Sequence, residues 1–278
     1  MYDVKITDDL EISKIIDISI KIYSIKFCNK CGLLYRDTRF TNEELALMYQ
    51  KQYSSVNYEK YINRSVEIEG YLENNLQKKI EKMTILDVGG GKGEITHYFS
   101  KSNKCIVLEF DIPDYNMNKN LKITSDVFSI NDDIDIIFIN HVAEHLNKPF
   151  EFIKNVLDNI NNEVFVYIEV PFEISHYLLL KTKGHYEHIN YFSEQSLYNL
   201  SRLLGGKDIK VETRNAFGDS MLSVSSLFKY NPNQESSQKE IHALYKNLKN
   251  EAYSLKNISI ILRNKIVNLG KRFLNDIC

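Results

Sequence analysis

The chain has 278 residues, of which 43% are hydrophobic and 26% are charged, a composition typical of a globular protein with a substantial core. Its 35 Lys and Arg residues against 37 Asp and Glu give a formal net charge of -2, which argues against a protein that mainly binds nucleic acid. No apolar run is long enough to span a bilayer, and the acidic N-terminus does not resemble a secretory signal. Four scattered Cys residues are too few for a disulfide framework, so we expect a cytoplasmic location.

Residues 1–55 are expected to form a small N-terminal module. Ile residues at nearly alternating positions predict a strand before Cys28. Cys28 and Cys31 form a single CxxC pair, and Gly32 directly after it indicates a turn. Thr41, three residues before a Glu, has the spacing of a capping box and predicts the start of a short helix.

Three further segments follow along the chain. Residues 56–82 show the pattern of a linking helix. Strands and helices then alternate through residues 83–230, which predicts an α/β, Rossmann-like, seven-stranded, mostly parallel sheet with helices on both faces. The last two strands have no helix between them, which predicts an antiparallel edge strand. Residues 236–275 carry apolar side chains spaced by threes and fours, which predicts one long amphipathic helix. It could pack on the rest of the chain or form a homodimer, with a membrane surface as a third alternative.

The strongest motif is DVGGGKG, residues 87–93, which lies between an apolar strand and a helix. A Gly-rich loop between a strand and a helix is typical of a turn that binds a ligand. A phosphate-binding Walker loop would need Gly in place of Leu86, and a dinucleotide fingerprint would need Gly in place of Glu94. What remains is an acid followed by three alternating glycines, which let the backbone turn sharply and approach a ligand closely.

This pattern resembles motif I of the class I S-adenosylmethionine-dependent methyltransferases, and the resemblance extends over roughly residues 83–228. It implies S-adenosylmethionine as cofactor, with the acid of the loop near the cofactor's positively charged amino acid part. By the same resemblance, Glu109 accepts hydrogen bonds from the ribose hydroxyls, with Asp111 as the alternative, and Asp126 lies beside the adenine. Asn140 begins a segment, NHVAEHL, similar to the family's "vLEHl". The implied cofactor-binding residues are Asp87, Gly89, Gly91, Gly93, Glu109, Asp126 and Asn140.

Two other segments, FCNKCGLLYRD in the N-terminal module and HYEHINYFS at residues 185–193, resemble sugar methyltransferases with an N-terminal zinc-knuckle region. The resemblance implies a small sugar or nucleotide-sugar acceptor. Those enzymes carry two CxxC pairs, whereas this chain carries one, and a structural zinc site needs four ligands. We therefore expect no bound metal. The chain also lacks the large C-terminal domain of the sugar C-methyltransferases, so we expect transfer to oxygen or nitrogen.

Methyl transfer from a sulfonium requires the acceptor to be held in line, and a hydroxyl acceptor must also lose its proton. Histidine is the natural base near neutral pH. His188 is the first candidate because it matches the base of the sugar enzymes, and His145 is the second, with a purely structural role as its alternative. Glu187 could orient an imidazole or bind a sugar hydroxyl. The expected catalytic residues are His188, His145, Glu187 and His185.

Other functions stay open at this point. A methyltransferase of nucleic-acid amines would usually carry an Asn/Asp-Pro-Pro-aromatic motif after the fourth strand, where this chain has NHVA. The runner-up is a methyltransferase for a non-sugar small metabolite, either phosphorylated or nitrogenous. A non-catalytic partner subunit of the same fold is the remaining alternative.

Overall fold

A computed structural model describes residues 2–5, 22–28, 31–36, 58–109, 115–127, 130, 132–173, 188–216 and 221–233. These residues form twelve strands and four helices, with bounds β1 Tyr2–Lys5, β2 Ile22–Phe27, β3 Leu34–Arg36, α1 Tyr58–Leu76, β4 Thr84–Val88, α2 Thr96–Phe99, β5 Lys104–Leu108, β6 Tyr115–Asn118, β7 Leu121–Thr124, β8 Ile136–Asn140, α3 Pro149–Leu157, β9 Val164–Pro171, β10 Asn190–Tyr191, α4 Glu194–Leu203, β11 Lys207–Ala216 and β12 Met221–Tyr230. The short helix predicted from Thr41 and the long helix predicted over 236–275 lie outside the described residues.

Most of the described chain builds one sheet with the strand order β11-β12-β9-β8-β4-β5-β7-β6. The five central strands β9, β8, β4, β5 and β7 are parallel, whereas β12 pairs antiparallel with both β9 and β11. The prediction of a Rossmann-like, mostly parallel sheet with an antiparallel edge is therefore confirmed. The described residues contain an eighth strand, β6, which folds back antiparallel on β7 across a two-residue turn.

The central strands are the most hydrophobic segments because both of their faces are covered. In β8, Ile136 and Phe138 pack on one face of the sheet, and Ile137 and Ile139 pack on the other. All four side chains are fully buried. The edge strand β11, by contrast, alternates between exposed and half-buried positions, as expected for a strand with one face in water.

Helices cover both faces of this sheet. Helix α1 packs Ile68 and Leu72 against one face, together with Phe99 of α2. Helices α3 and α4 cover the other face, where Ile153 and Leu197 belong to the larger hydrophobic cluster. The predicted linking helix therefore corresponds to α1 and contributes directly to the core of the sheet.

Local signals account for the helix ends. The Ser193 hydroxyl accepts a hydrogen bond from the Ser196 backbone N–H at the start of α4, and a reciprocal bond completes a capping box. The helix stops at Gly205, whose φ of 90° is left-handed. Helix α2 is a single turn, Thr96–Phe99, which begins three residues after Gly93 of the glycine loop.

A second, four-stranded antiparallel sheet has the order β1-β2-β3-β10. Its last strand, Asn190–Tyr191, pairs with Tyr35 and Leu34 of β3. The N-terminal strands are thus bonded to a segment that lies more than half the chain away in sequence, directly after His188. In the part of the chain that the structure describes, no helix has the length and hydropathy needed to cross a membrane.

Candidate functional site

The order of the strands in the main sheet has a topological switch point at β4. The next strand along the chain, β5, lies on one side of β4, and the later strand β8 lies on the other side. In open α/β sheets, such a switch point leaves a crevice at the carboxyl ends of the strands, and ligands bind there. The glycine loop follows β4, and the predicted segment NHVAEHL begins at the end of β8. A Cβ atom at Gly89 would lie only 2.7 Å from Cγ2 of Val142, so the two loops are in close contact.

Gly89, Gly91 and Gly93 have φ values of 70°, 57° and 79°, a left-handed backbone that side chains rarely adopt. The Gly89 N–H donates to the carbonyl of Leu108 at the end of β5, at 2.8 Å. These three glycines are therefore needed for the shape of the turn, as the motif predicts. Sequence reasoning overlooked Gly90, where a Cβ atom would lie 2.3 Å from Oδ2 of Asp87.

Asp87 lies underneath this loop, almost fully buried near the carboxyl end of β4. The Thr96 hydroxyl donates to its Oδ2 at 3.3 Å, whereas its Oδ1 has no hydrogen-bond partner among the described residues. Burial raises the pKa of Asp87 to about 7, and the nearby carboxylates of Glu94 and Glu109 add to this effect. A cationic group bound at the loop would therefore meet a carboxyl that can ionise near neutral pH.

The other predicted cofactor residues lie at or just beyond the carboxyl ends of β5, β7 and β8. The Gly91 N–H donates to Oε2 of Glu109, which directly follows β5, at 3.0 Å. Asp126 is exposed after β7, and its backbone N–H donates to Thr124. Asn140 ends β8, and both polar atoms of its amide are buried without a hydrogen-bond partner in the described parts of the chain.

A cluster of histidines and carboxylates follows β8. The buried side chain of Glu144 has Nδ1 of His141 at 3.3 Å and Nε2 of His145 at 3.8 Å from its Oε1. Burial disfavours the charged carboxylate, but the His141 hydrogen bond and the neighbouring imidazoles outweigh it, so the pKa of Glu144 lies below its ordinary value. His188 comes from the segment before β10, and its ring centroid lies 4.7 Å from that of His145. The fold thus brings together the two histidines that the sequence favoured.

A second carboxylate positions His188, because Nδ1 of this buried imidazole donates to Oε2 of Glu173 at 2.7 Å. Glu173 follows β9, and sequence reasoning did not identify it. A signal was available, since an acid two residues beyond a buried parallel strand lies at the edge of the sheet where ligands bind. His185 and Glu187 lie outside the described residues.

Backbone contacts hold the segment that carries His188. The N–H groups of Ile189 and Asn190 both donate to the carbonyl of Glu144, at 2.9 and 3.0 Å. The Asn190 amide donates to the carbonyls of Ala143 and Leu146. The loop after β8 and the segment that carries His188 are therefore joined by hydrogen bonds that do not involve the imidazoles.

Buried Arg36 links the N-terminal sheet to the same segment. Its Nε donates to the hydroxyl of Tyr191 at 2.7 Å, and that hydroxyl donates to the carbonyl of His188 at 3.0 Å. Cys28 and Cys31 lie nearby in the sequence as half-buried thiols, and the hydrogen bond with Cys28, together with burial, raises the pKa of Cys31 well above its ordinary value. The Asn199 amide of α4 donates to the carbonyl of Cys31, so this turn is fixed by packing on the main body.

Comparisons with known proteins agree with this geometry. A family profile described as a methyltransferase domain matches residues 58–210, which is more than half of the chain. The structure of the 1,6-didemethyltoxoflavin N1-methyltransferase of Burkholderia thailandensis, with its substrate and S-adenosylhomocysteine bound, is similar with a TM-score of 0.50 at 13% identity. That match covers 72% of this chain and 95% of the other. The magnesium protoporphyrin IX methyltransferase of Synechocystis PCC 6803 is similar with a TM-score of 0.44 at 8% identity, covering 69% and 89%. None of the curated protein sequences matches this chain.

The profile spans the region from α1 to β11, which contains the glycine loop and all of the described candidate residues around it. The fold, the loop and the family profile therefore lead to one assignment. The chain belongs to the methyltransferase domain family and is an S-adenosylmethionine-dependent methyltransferase.

Proposed function

We propose that the enzyme transfers the methyl group of S-adenosylmethionine to a hydroxyl oxygen of a small carbohydrate, either a nucleotide-linked sugar or a surface glycan. The observation that carries this proposal is the imidazole–carboxylate cluster at the end of β8, next to the glycine loop. An amine acceptor needs little help to react, whereas a hydroxyl must lose a proton, and two imidazoles at the acceptor side serve that purpose.

His188 is our candidate for the group that receives this proton. Glu173 accepts the hydrogen bond from its Nδ1, which leaves the lone pair on Nε2. The carboxylate also stabilises the imidazolium that forms, in the same way as in other His–carboxylate pairs. His145, whose ring packs edge-on against His188, is the second candidate.

The carbohydrate acceptor is supported by the resemblance of the HYEHINYFS segment to the sugar methyltransferases, in which this segment lines the acceptor pocket. The runner-up, a non-sugar small metabolite, would use the same cofactor site and differ only in the acceptor pocket. A cytoplasmic location and a homodimer through the C-terminal segment belong to the same proposal. They follow from the Cys content and from the apolar spacing of residues 236–275.

The direct test is a screen of nucleotide-sugars and related metabolites with labelled S-adenosylmethionine. Methylation of a nitrogenous or phosphorylated metabolite, with all sugars inert, would favour the runner-up instead. The position of the new methyl group, read by mass spectrometry, distinguishes transfer to oxygen from transfer to nitrogen.

The proton-transfer role is tested by His188→Ala. We expect turnover to fall by at least about 100-fold while S-adenosylhomocysteine still binds, because a positioned base contributes about 10²–10⁴-fold. His97→Gln is the matched control, because this imidazole packs against Tyr58 and lies outside the cluster. Normal turnover of His188→Ala would show that the base is assigned wrongly.

A further inference from the structure

Three side chains of the cluster are arranged as metal ligands. One ligand atom each from Glu144, His145 and His188 lies within 4.8 Å of the other two. One cation could therefore contact all three with small side-chain rotations, since metal–nitrogen and metal–oxygen bonds are about 2.0–2.2 Å long. We propose that this triad binds a divalent transition-metal ion, which revises the expectation of a metal-free protein drawn from the sequence.

The environment of Glu144 supports the site. Its side chain is only 1% exposed, and the His141 and His145 imidazoles contact Oε1, whereas Oε2 has no hydrogen-bond partner among the described residues. A buried carboxylate whose hydrogen bonds are incomplete is costly unless a positive charge compensates it. The nearest nitrogens, on His141 and His145, are themselves able to act as ligands or as charge partners. A bound cation would satisfy Oε2, which has no hydrogen-bond partner among the described residues.

A carboxylate behind a ligand imidazole is the second feature of metal sites. The bond from Nδ1 of His188 to Glu173 fixes the tautomer of the ring, so that Nε2 carries the lone pair. Glu173 is itself buried and follows a strand of the main sheet, so the imidazole is held in a rigid frame. This pairing fixes the orientation of a ligand imidazole.

The donor set selects the class of metal. Two imidazoles and one carboxylate suit Zn²⁺, Mn²⁺, Fe²⁺ or Co²⁺, whereas Mg²⁺ and Ca²⁺ prefer all-oxygen ligands. Three protein ligands leave at least one coordination position open, as in catalytic rather than structural sites. The site could therefore bind an oxygen atom from outside the protein.

This inference deepens the proposed function and rests on it for the role of the metal. An acceptor hydroxyl bound at the open position would have a lowered pKa. Its proton would pass to solvent, its oxygen would bond to the methyl carbon, and the electrons of the broken C–S bond would stay on sulfur. Nε2 of His188 cannot hold a metal and a proton at once, so its roles as ligand and as base belong to the metal-bound and the metal-free enzyme, respectively.

Metal binding is tested by titrating the chelator-treated protein with Co²⁺ and following its visible absorbance. The titration uses the Cys28→Ser/Cys31→Ser double variant beside the wild type, because thiolate ligation gives distinct charge-transfer bands. We expect one Co²⁺ per chain with bands of nitrogen and oxygen ligation in both proteins. Glu144→Gln and His145→Asn should each lose saturable binding, and Glu173→Gln should weaken it by about 10–100-fold.

Binding of S-adenosylhomocysteine to each variant, measured by calorimetry, shows whether the fold is intact. No stoichiometric Co²⁺ binding, or binding that Glu144→Gln leaves unchanged in a folded protein, would overturn the site. Full turnover in the presence of a chelator would overturn the catalytic role of the metal. If Co²⁺ binds as expected but no sugar is methylated, the metal site stands and the proposed acceptor fails.

Discussion

The pKa of Asp87 leads to a specific prediction about cofactor affinity. With a pKa of about 7, this buried carboxyl is about 99% protonated at pH 5 and mostly ionised at pH 8. If it faces the ammonium group of the cofactor, as the motif predicts, only the ionised form binds well. Affinity for S-adenosylhomocysteine should therefore fall about 100-fold from its plateau value at high pH to pH 5. This loss corresponds to about 2.7 kcal/mol at about 1.4 kcal/mol per pH unit.

Isothermal titration calorimetry from pH 5 to pH 8 measures this dependence. Repeating the titration in buffers of different ionisation enthalpy counts the proton that Asp87 releases when the cofactor binds. Asp87→Asn should bind more weakly and lose the pH dependence, whereas Asp132→Asn, an exposed carboxylate paired with Lys104, should behave as the wild type. An affinity that is constant over this pH range in the wild type would refute the contact between Asp87 and the ammonium group.

The ionisation of Asp87 has the opposite effect on the stability of the protein without cofactor: cofactor affinity rises with pH, whereas this group's contribution to the free energy of unfolding falls. Because the pKa of Asp87 is raised in the folded state, the folded protein holds a proton between pH 4 and pH 7 that the unfolded chain has lost. This group's contribution to the free energy of unfolding should therefore decrease as the pH rises through this range. Denaturant unfolding of the wild type and of Asp87→Asn, compared at each pH, isolates the contribution.

Three further substitutions test the glycine loop, an open glycine position in α1, and the buried ion pair between Arg64 and Glu169. Gly89→Ala puts a Cβ atom 2.7 Å from Val142 in a left-handed backbone, so we expect at least tenfold weaker binding of S-adenosylhomocysteine by calorimetry. Gly70→Ala, in an open position of α1, should instead raise the free energy of unfolding by up to about 1 kcal/mol. Arg64→Met leaves the fully buried carboxylate of Glu169 without one of its arginine partners and should cost about 3 kcal/mol by denaturant unfolding. A loss below about 1 kcal/mol would show that the remaining contacts of Glu169 are sufficient.

Helix and strand positions were predictable wherever neighbouring residues decide them. The apolar runs of β4, β8 and β9, the spacing of α1 and the Ser193 cap of α4 are each readable from a few consecutive residues. Strand β6 was missed because it has only four residues and they are mostly polar, so its composition does not indicate a strand. Its pairing with β7 stabilises it instead.

The proximity of the residues that are predicted to bind the cofactor was also accessible to sequence reasoning. Asp87, three alternating glycines and Glu109 occur at fixed distances along one strand–loop–helix–strand unit, so their spacing already determines that they meet. Gly90 was missed because its role depends on where the Asp87 side chain points. The orientation of the Asp87 side chain is set by its burial under the loop, and the neighbouring residues in the sequence do not predict it.

The sequence by itself determined the family of this protein, the methyl donor and the glycine loop after β4, because those features depend on neighbours along the chain. Only the tertiary structure brought Glu144 and Glu173 to His188, and joined Arg36 of the N-terminal sheet to Tyr191. Glu144 and Glu173 follow β8 and β9, whose carboxyl ends lie side by side because these strands are parallel neighbours, whereas Arg36 and Tyr191 belong to the antiparallel second sheet. The arrangement of the histidine–carboxylate cluster therefore depends on contacts between distant segments, which the order of residues does not specify locally.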